Sequence, residues 1–157
     1  MKRDNSKYTH ARTCVYNINY HIIWGTKYRN KWMTKDTEDE IKQMLYDIAA
    51  ENGFSIEHLE IGEDDHMHLF VNAPPKLSIT VIVKCLKGTS SFRLFRKHPE
   101  LKKFYGKAED KHIWSPSYFV ETIGTSNADA VAKYIDRQRS REAKHDKKQR
   151  NAVQDLS

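Results

Sequence analysis

The chain has 157 residues, with 27 Lys plus Arg against 21 Asp plus Glu and a net charge of +6. That length suits one domain with its own core, and 31% charged against 38% hydrophobic residues leaves it much working surface. The basic excess favours polyanions such as nucleic acid, although an ordinary basic surface has the same balance. Cys14 and Cys85 are far apart and form no Cys-x-x-Cys, which argues against a disulfide scaffold or zinc ribbon and suits a reducing cytoplasm. The basic N-terminus is followed by no apolar h-region, and no apolar run approaches the roughly 20 residues of a membrane helix.

In chain order, residues 1–13 are polar and read as a loose arm. Cys14 to Trp24 is rich in β-branched and aromatic residues and predicts a first strand. Residues 36–51 carry Ile41, Met44, Leu45, Ile48 and Ala49 at helical spacing, with acids in the first turn and Gly53 as a stop. Phe54 to Ile61 alternates with period two. A turn at Gly62 to Asp65 leads into a strand from His66 to Val71, forming a hairpin. Pro74-Pro75 ends that strand. Ser78 caps a helix through Leu86, which Gly88 is expected to kink before a second piece ends at Pro99. After a lysine-rich loop, Tyr118 to Ile123 predicts a strand. Ser126 or Asn127 caps a last helix to about Arg141, and the tail from Lys144 is charged and apolar-poor.

The order β-α-β-β-α-β plus a C-terminal helix matches the ferredoxin-like α+β plan, an antiparallel sheet with helices on one face. It divides into an arm (1–13), a single domain (14–143) and a tail (144–157). Fold alone does not decide function.

The chemistry concentrates in Ile61-Gly-Glu-Asp-Asp-His-Met-His-Leu-Phe-Val71. On a strand His66 and His68 share one face, about 7 Å apart, while Met67 faces the other way. Two such imidazoles can hold one metal ion, though a lone His-x-His also arises by chance. On the last helix Tyr134 and Gln138 are one turn apart on one face. Taken alone, that pair also fits a packed tyrosine beside a solvated amide. Joined, the elements make chemical sense. A phenolate can attack a phosphodiester and store the bond as phosphotyrosine. A cation lowers the cost of that attack. Two imidazole nitrogens and a glutamine oxygen make an open site of mixed ligands that suits Mn²⁺ or Mg²⁺, with zinc not excluded.

Four stretches carry a resemblance over residues 14–140: Tyr16-Asn-Ile-Asn-Tyr-His-Ile-Ile-Trp-Gly-Thr-Lys-Tyr-Arg29; Asp65-His-Met-His-Leu-Phe-Val71; Pro74-Pro-Lys-Leu-Ser78 leading into Leu86-Lys-Gly-Thr-Ser-Ser91; and Trp114-Ser-Pro-Ser-Tyr-Phe-Val120 leading to Tyr134-Ile-Asp-Arg-Gln138. In this order the chain resembles the single-tyrosine HUH transposases, the TnpA proteins of the insertion-sequence-200/605 group. The resemblance implies that His66 and His68 are metal ligands, Gln138 the third ligand and Tyr134 the nucleophile. It implies cleavage of single-stranded DNA at hairpin-marked element ends, leaving a 5′-phosphotyrosine and a free 3′-OH, with rejoining by the reverse step. It also implies a homodimer in which the tyrosine helix of one subunit can complete the site of the other.

Lys27, Arg29, Lys84, Lys87, Arg93 and Arg96 are candidates for phosphate contacts, and Tyr28 or Tyr105 for stacking on unpaired bases. Each also fits an ordinary surface. Ser90 and Ser91 either donate to phosphate or cap a helix. A carboxylate of Glu63, Asp64 or Asp65 either orients a ligating histidine or serves the turn. His21 reads as a satisfied core histidine, and Trp114 and Tyr118 as core. Two other readings remain: a domesticated HUH endonuclease that nicks palindromes, and a non-catalytic ferredoxin-like nucleic-acid-binding module. Against the second, histidines stand where such modules place aromatics. A phosphoesterase with two His-x-Thr/Ser motifs is disfavoured, because only one histidine pair exists.

Overall fold

A computed structural model describes residues 2–3, 7–27, 32–62, 65–105 and 112–138. The strands are β1 (Lys2–Arg3), β2 (Thr9–His10), β3 (Val15–Tyr16), β4 (Asn19–Trp24), β5 (Ser55–Ile61), β6 (Met67–Asn72) and β7 (Phe119–Ile123). The helices are α1 (Lys35–Glu51), α2 (Ile79–Lys97), the short α3 (Lys102–Tyr105) and α4 (Ala128–Asp136). The main sheet has the order β5-β6-β4-β7 with every pairing antiparallel. With α1 and α2 as crossovers this is the expected ferredoxin-like βαββαβ arrangement, and α4 is the added helix.

The first strand of the sequence reading is divided. Val15–Tyr16 pairs with Thr9–His10, which pairs with Lys2–Arg3, forming a separate three-stranded sheet. The polar stretch read as an arm therefore contributes two strands.

Alternation along the strands separates two faces. Ile22, Trp24, Met67, Leu69 and Val71 are buried in one core with Ile41, Leu45 and Ile48 of α1 and Ile82, Leu86 and Leu94 of α2. Asn19, His21 and Ile23 of β4, and His68 and Phe70 of β6, fall on the opposite face by period two. There α4 packs, through Ile135 in a small cluster with Phe70 and Ile123. The helices thus lie on both faces rather than one, and the second face is the one that carries His68.

Thr34 caps α1, accepting from the Thr37 amide at 3.3 Å. Ser78 caps α2 as expected, accepting from the Val81 amide at 3.2 Å. The kink expected at Gly88 does not occur: α2 runs unbroken through it. Glycine weakens a helix interior but does not bend it unless a packing conflict forces a bend, and a Cβ at Gly88 would meet nothing within 4 Å. No helix among the described residues is long and apolar enough to cross a membrane.

Candidate active site

The β5–β6 hairpin places the first two donors. Its turn closes where the Gly62 amide donates to the His66 carbonyl at 2.9 Å. Asp65 takes a left-handed conformation, φ 56°, which Asp tolerates better than most residues. The strand begins at Met67, so His66 sits just before it. Met67 points into the core, fully buried, and this fixes His68 on the other face. Glu63 and Asp64 lie outside the described residues.

Two glycines shape the space around the imidazoles. A Cβ on Gly25 would lie 2.8 Å from His66 Cδ2 and 2.9 Å from its Nε2. A Cβ on Gly62 would lie 3.3 Å from His68 Nε2 and 3.2 Å from Gln138 Oε1. Only hydrogen at these two positions leaves the rings where they are. The Gly62 relation also places Gln138 Oε1 and His68 Nε2 on the same side of that glycine, each within 3.3 Å of where its Cβ would be.

Gln138 is aimed by its own chain. Its Nε2 donates to the Tyr134 carbonyl at 3.1 Å. A carbonyl only accepts, so the amide nitrogen must face it and the oxygen is left facing His68. Tyr134 stands one turn earlier, with its ring centroid 6.0 Å from that of His68 and 5.9 Å from that of His21, both edge-on. It is 42% exposed, which leaves the phenol open to a substrate. The helix that carries it is only nine residues long, too short to stand alone in water. Burial of Ile135, worth about 1.5–3 kcal/mol for such a side chain, and a hydrogen bond between His58 Nδ1 and Asp136 at 3.0 Å hold it on the sheet.

His68 is 8% exposed. Burial, and then the neighbouring His21 and His66, push its pKa down to about 4, so at neutral pH it is the uncharged imidazole that can ligate a cation. Its Nδ1 has no hydrogen-bond partner among the described residues. His68 Nε2 and Gln138 Oε1 both lie beside Gly62, and His66 is close enough to bear on His68 electrostatically. These residues fit a divalent cation. No group of three His, Cys, Asp or Glu able to hold a metal occurs among the described residues, and Gln138 Oε1 is a further oxygen donor beside His68.

The sequence reading missed His21 as part of this site. It is 4% exposed, its Nδ1 bonds Glu121 Oε1 across the β4–β7 pair at 3.2 Å, and its ring lies 6.0 Å from that of His68. Its Nε2 is buried without a partner among the described residues, so it is not the satisfied core histidine expected. The available signal was period two: His21 alternates with Tyr20, Ile22 and Trp24, which face the core.

The basic candidates divide. Lys84 and Arg96 are exposed on α2. Lys87 is half-buried, its pKa lowered by burial, and its ammonium donates to the carbonyls of Ser115 and Ser117, bolting that segment to α2. Arg93 pairs with Glu51 at 2.6 Å. Lys27 lies beside β4, its amide donating to the Ile113 carbonyl. Arg29 and Tyr28 lie outside the described residues. Tyr105 is buried and its hydroxyl accepts from Trp32 Nε1 at 2.7 Å, so it is no stacking platform. Ser90 and Ser91 are buried and accept from Trp114 Nε1 and the Ile113 amide; they join helix to strand rather than meet phosphate. Trp114 is core, as expected, whereas Tyr118 is 38% exposed.

Comparison with known proteins gives the family. The family model described as "Transposase IS200 like" matches residues 14–138. The ISDra2 transposase TnpA of Deinococcus radiodurans is 37% identical over 132 residues, covering 84% of this chain and 91% of that protein. The transposase for insertion sequence element IS200 of Salmonella typhimurium is 28% identical over 135 residues, covering 86% and 84%. A crystal structure of a transposase-class protein from Deinococcus radiodurans superposes with a TM-score of 0.64 at 37% identity, over 83% of this chain and 97% of that one. A REP-associated tyrosine transposase bound to a REP hairpin shares the fold, with a TM-score of 0.57 at 12% identity over 85% and 73%. The match across nearly the whole described domain means that this chain belongs to the IS200-like transposase family.

Proposed function

We propose that this transposase cuts and rejoins single-stranded DNA at hairpin-marked ends with Tyr134 as nucleophile and a divalent cation, Mg²⁺ or Mn²⁺, held by His66, His68 and Gln138. The observation that supports the reading is that Gln138 Oε1 and His68 Nε2 both lie beside Gly62, with the Tyr134 ring edge-on to His68. The phenolic oxygen attacks the phosphorus, the bond from phosphorus to the 3′ oxygen breaks, and that oxygen leaves as a 3′-OH after taking up a proton. The 5′ phosphate stays on tyrosine. Attack by a 3′-OH reverses the step, so rejoining needs no external energy source. The cation, when bound, polarises the scissile phosphate and eases formation of the phenolate. His68 stays uncharged as a ligand, Gln138 sets the distance between ligand and nucleophile, and Gly25 and Gly62 keep space for the rings.

The hairpin substrate is supported by the structural relative bound to a REP hairpin, and of the basic candidates the exposed Lys84 and Arg96 supply charge for phosphate contacts, whereas Lys87 and Arg93 are engaged within the chain. The active species is a homodimer, as the sequence resemblance implies. Among the described residues α4 is held by a small apolar cluster, the Tyr134 ring contacts and the His58–Asp136 hydrogen bond, an attachment that a second copy's sheet can replace. Hairpin DNA with a single-stranded flank, incubated with Mn²⁺, should become covalently attached to protein on a denaturing gel, and EDTA should prevent it. Attachment undiminished by EDTA refutes the metal role. Mixing Tyr134→Phe with His66→Ala protein should restore cleavage if helices exchange; a mixture as inactive as its parts refutes exchange.

A further inference from the structure

We infer that the exposed face of α2 carries a base-binding groove for the single-stranded flank of the DNA, with Gly88 as its floor. This rests on the DNA-cleaving reading above and deepens it. Thr80, Lys84, Gly88, Phe92 and Arg96 follow one another at four-residue spacing, so they form a single stripe along the helix, and all five are exposed. Two cavities of about 530 and 260 Å³ open along that stripe and share Gly88 and Ser91. The far wall of the larger is the segment from His112 to Tyr118, which Lys87 ties to the helix, and the smaller meets that segment at His112.

The chemistry of the lining selects the occupant. Phe92 is 64% exposed, the most exposed large apolar side chain of the described residues. It stands between Gly88 and the cation of Arg96, with Lys84 one turn beyond Gly88. No Asp or Glu lines either cavity among the described residues. Aromatic faces beside cations, without acids, suit unpaired bases on a phosphate chain. A duplex keeps its base faces stacked and cannot offer one to Phe92, whereas a single strand can. The floor is open because a Cβ at Gly88 would meet nothing within 4 Å.

The groove also leads to the site. Its wall continues into the Thr26–Trp114 bridge and the bond from the Ser115 amide to the Gly25 carbonyl at 2.8 Å, and Gly25 is the residue against which His66 rests. A strand leaving the groove along this wall would pass the sheet edge at Gly25 to reach the histidines on the sheet's other face.

The test compares binding of a fluorescent hairpin oligonucleotide with and without a single-stranded flank, by anisotropy, in EDTA so that no cutting intervenes. The wild-type chain should bind the flanked form about tenfold more tightly, the order expected of one base–aromatic stack. Gly88→Leu, which fills the floor, and Phe92→Ala, which removes the platform, should each reduce that gain to less than about twofold and leave the bare hairpin unaffected. Gly88→Ala should keep the gain and raise the melting temperature, a control for folding. A wild type with no flank-dependent gain, or a gain unchanged in both Gly88→Leu and Phe92→Ala, overturns the groove. Because the readout needs neither metal nor Tyr134, its failure is separate from failure to form a covalent adduct.

Discussion

Gln138 hands its amide nitrogen to the carbonyl of Tyr134 and thereby turns its oxygen toward His68. The proposed nucleophile and the proposed third ligand are thus coupled through one hydrogen bond to the backbone. Gln138→Ala removes the oxygen donor and should raise the Mn²⁺ concentration needed for half-maximal cleavage about tenfold or more. Gln138→Glu keeps an oxygen and adds charge, so it should need less metal than Gln138→Ala. Metal titrations of cleavage check both; an unchanged requirement in Gln138→Ala removes the glutamine from the site.

The glycine cradles give a second expectation. Gly25→Ala puts a methyl 2.8 Å from His66 Cδ2, so the ring must turn. Gly62→Ala presses less hard, at 3.2 Å from Gln138 Oε1 and 3.3 Å from His68 Nε2. Displacement of a site group by about 1 Å can cost about a hundredfold in rate. Gly25→Ala should approach that loss, Gly62→Ala about a tenfold one, both with melting temperatures near wild type. Full activity in Gly25→Ala contradicts the placement of His66.

Much of this was legible in sequence because it depends on period. Ile41, Leu45 and Ile48 gave α1, and His66-Met67-His68 gave two faces, since spacing alone sets which side a residue takes. The gathering of Tyr134 and Gln138 with the histidines was expected from their chemistry and from family resemblance, not from spacing. Its details were not legible. Gly25 approaches His66 across two strands, and His21 reaches Glu121 through the pairing of β4 with β7; both follow from long-range register. Ser90 looked like a phosphate donor because its side chain is polar, yet its partner Trp114 lies 24 residues away. The expected kink at Gly88 failed because packing around α2 outweighs the weak propensity of one residue.

That Ser90 bond carries a stability expectation. Its hydroxyl accepts from Trp114 Nε1 at 2.8 Å, with both residues buried. Ser90→Ala leaves the indole N–H buried and unpaired, which should cost about 1–3 kcal/mol. Urea unfolding measures it, and a loss within error of zero would show that the indole finds another acceptor.

His68 links stability to pH. Its pKa is about 4 in the folded chain against 6.5 unfolded. Between those values the unfolded chain binds a proton that the folded chain does not. Stability from this group is therefore complete above about pH 6.5 and falls as pH drops toward 4, by up to about 1.4 kcal/mol per pH unit. Metal-free protein should lose stability over that window, and His68→Gln should flatten the slope. Equal slopes in the two proteins would mean that His68 titrates normally.

The central claim is that the phenol of Tyr134 is the group that takes the DNA. Mass spectrometry of the covalent adduct, formed on flanked hairpin DNA with Mn²⁺ and digested to peptides, locates the bond directly. The nucleotide should be found on Tyr134, and Tyr134→Phe protein should bind the hairpin normally yet form no adduct. A nucleotide on another residue, or an adduct persisting in Tyr134→Phe, contradicts it.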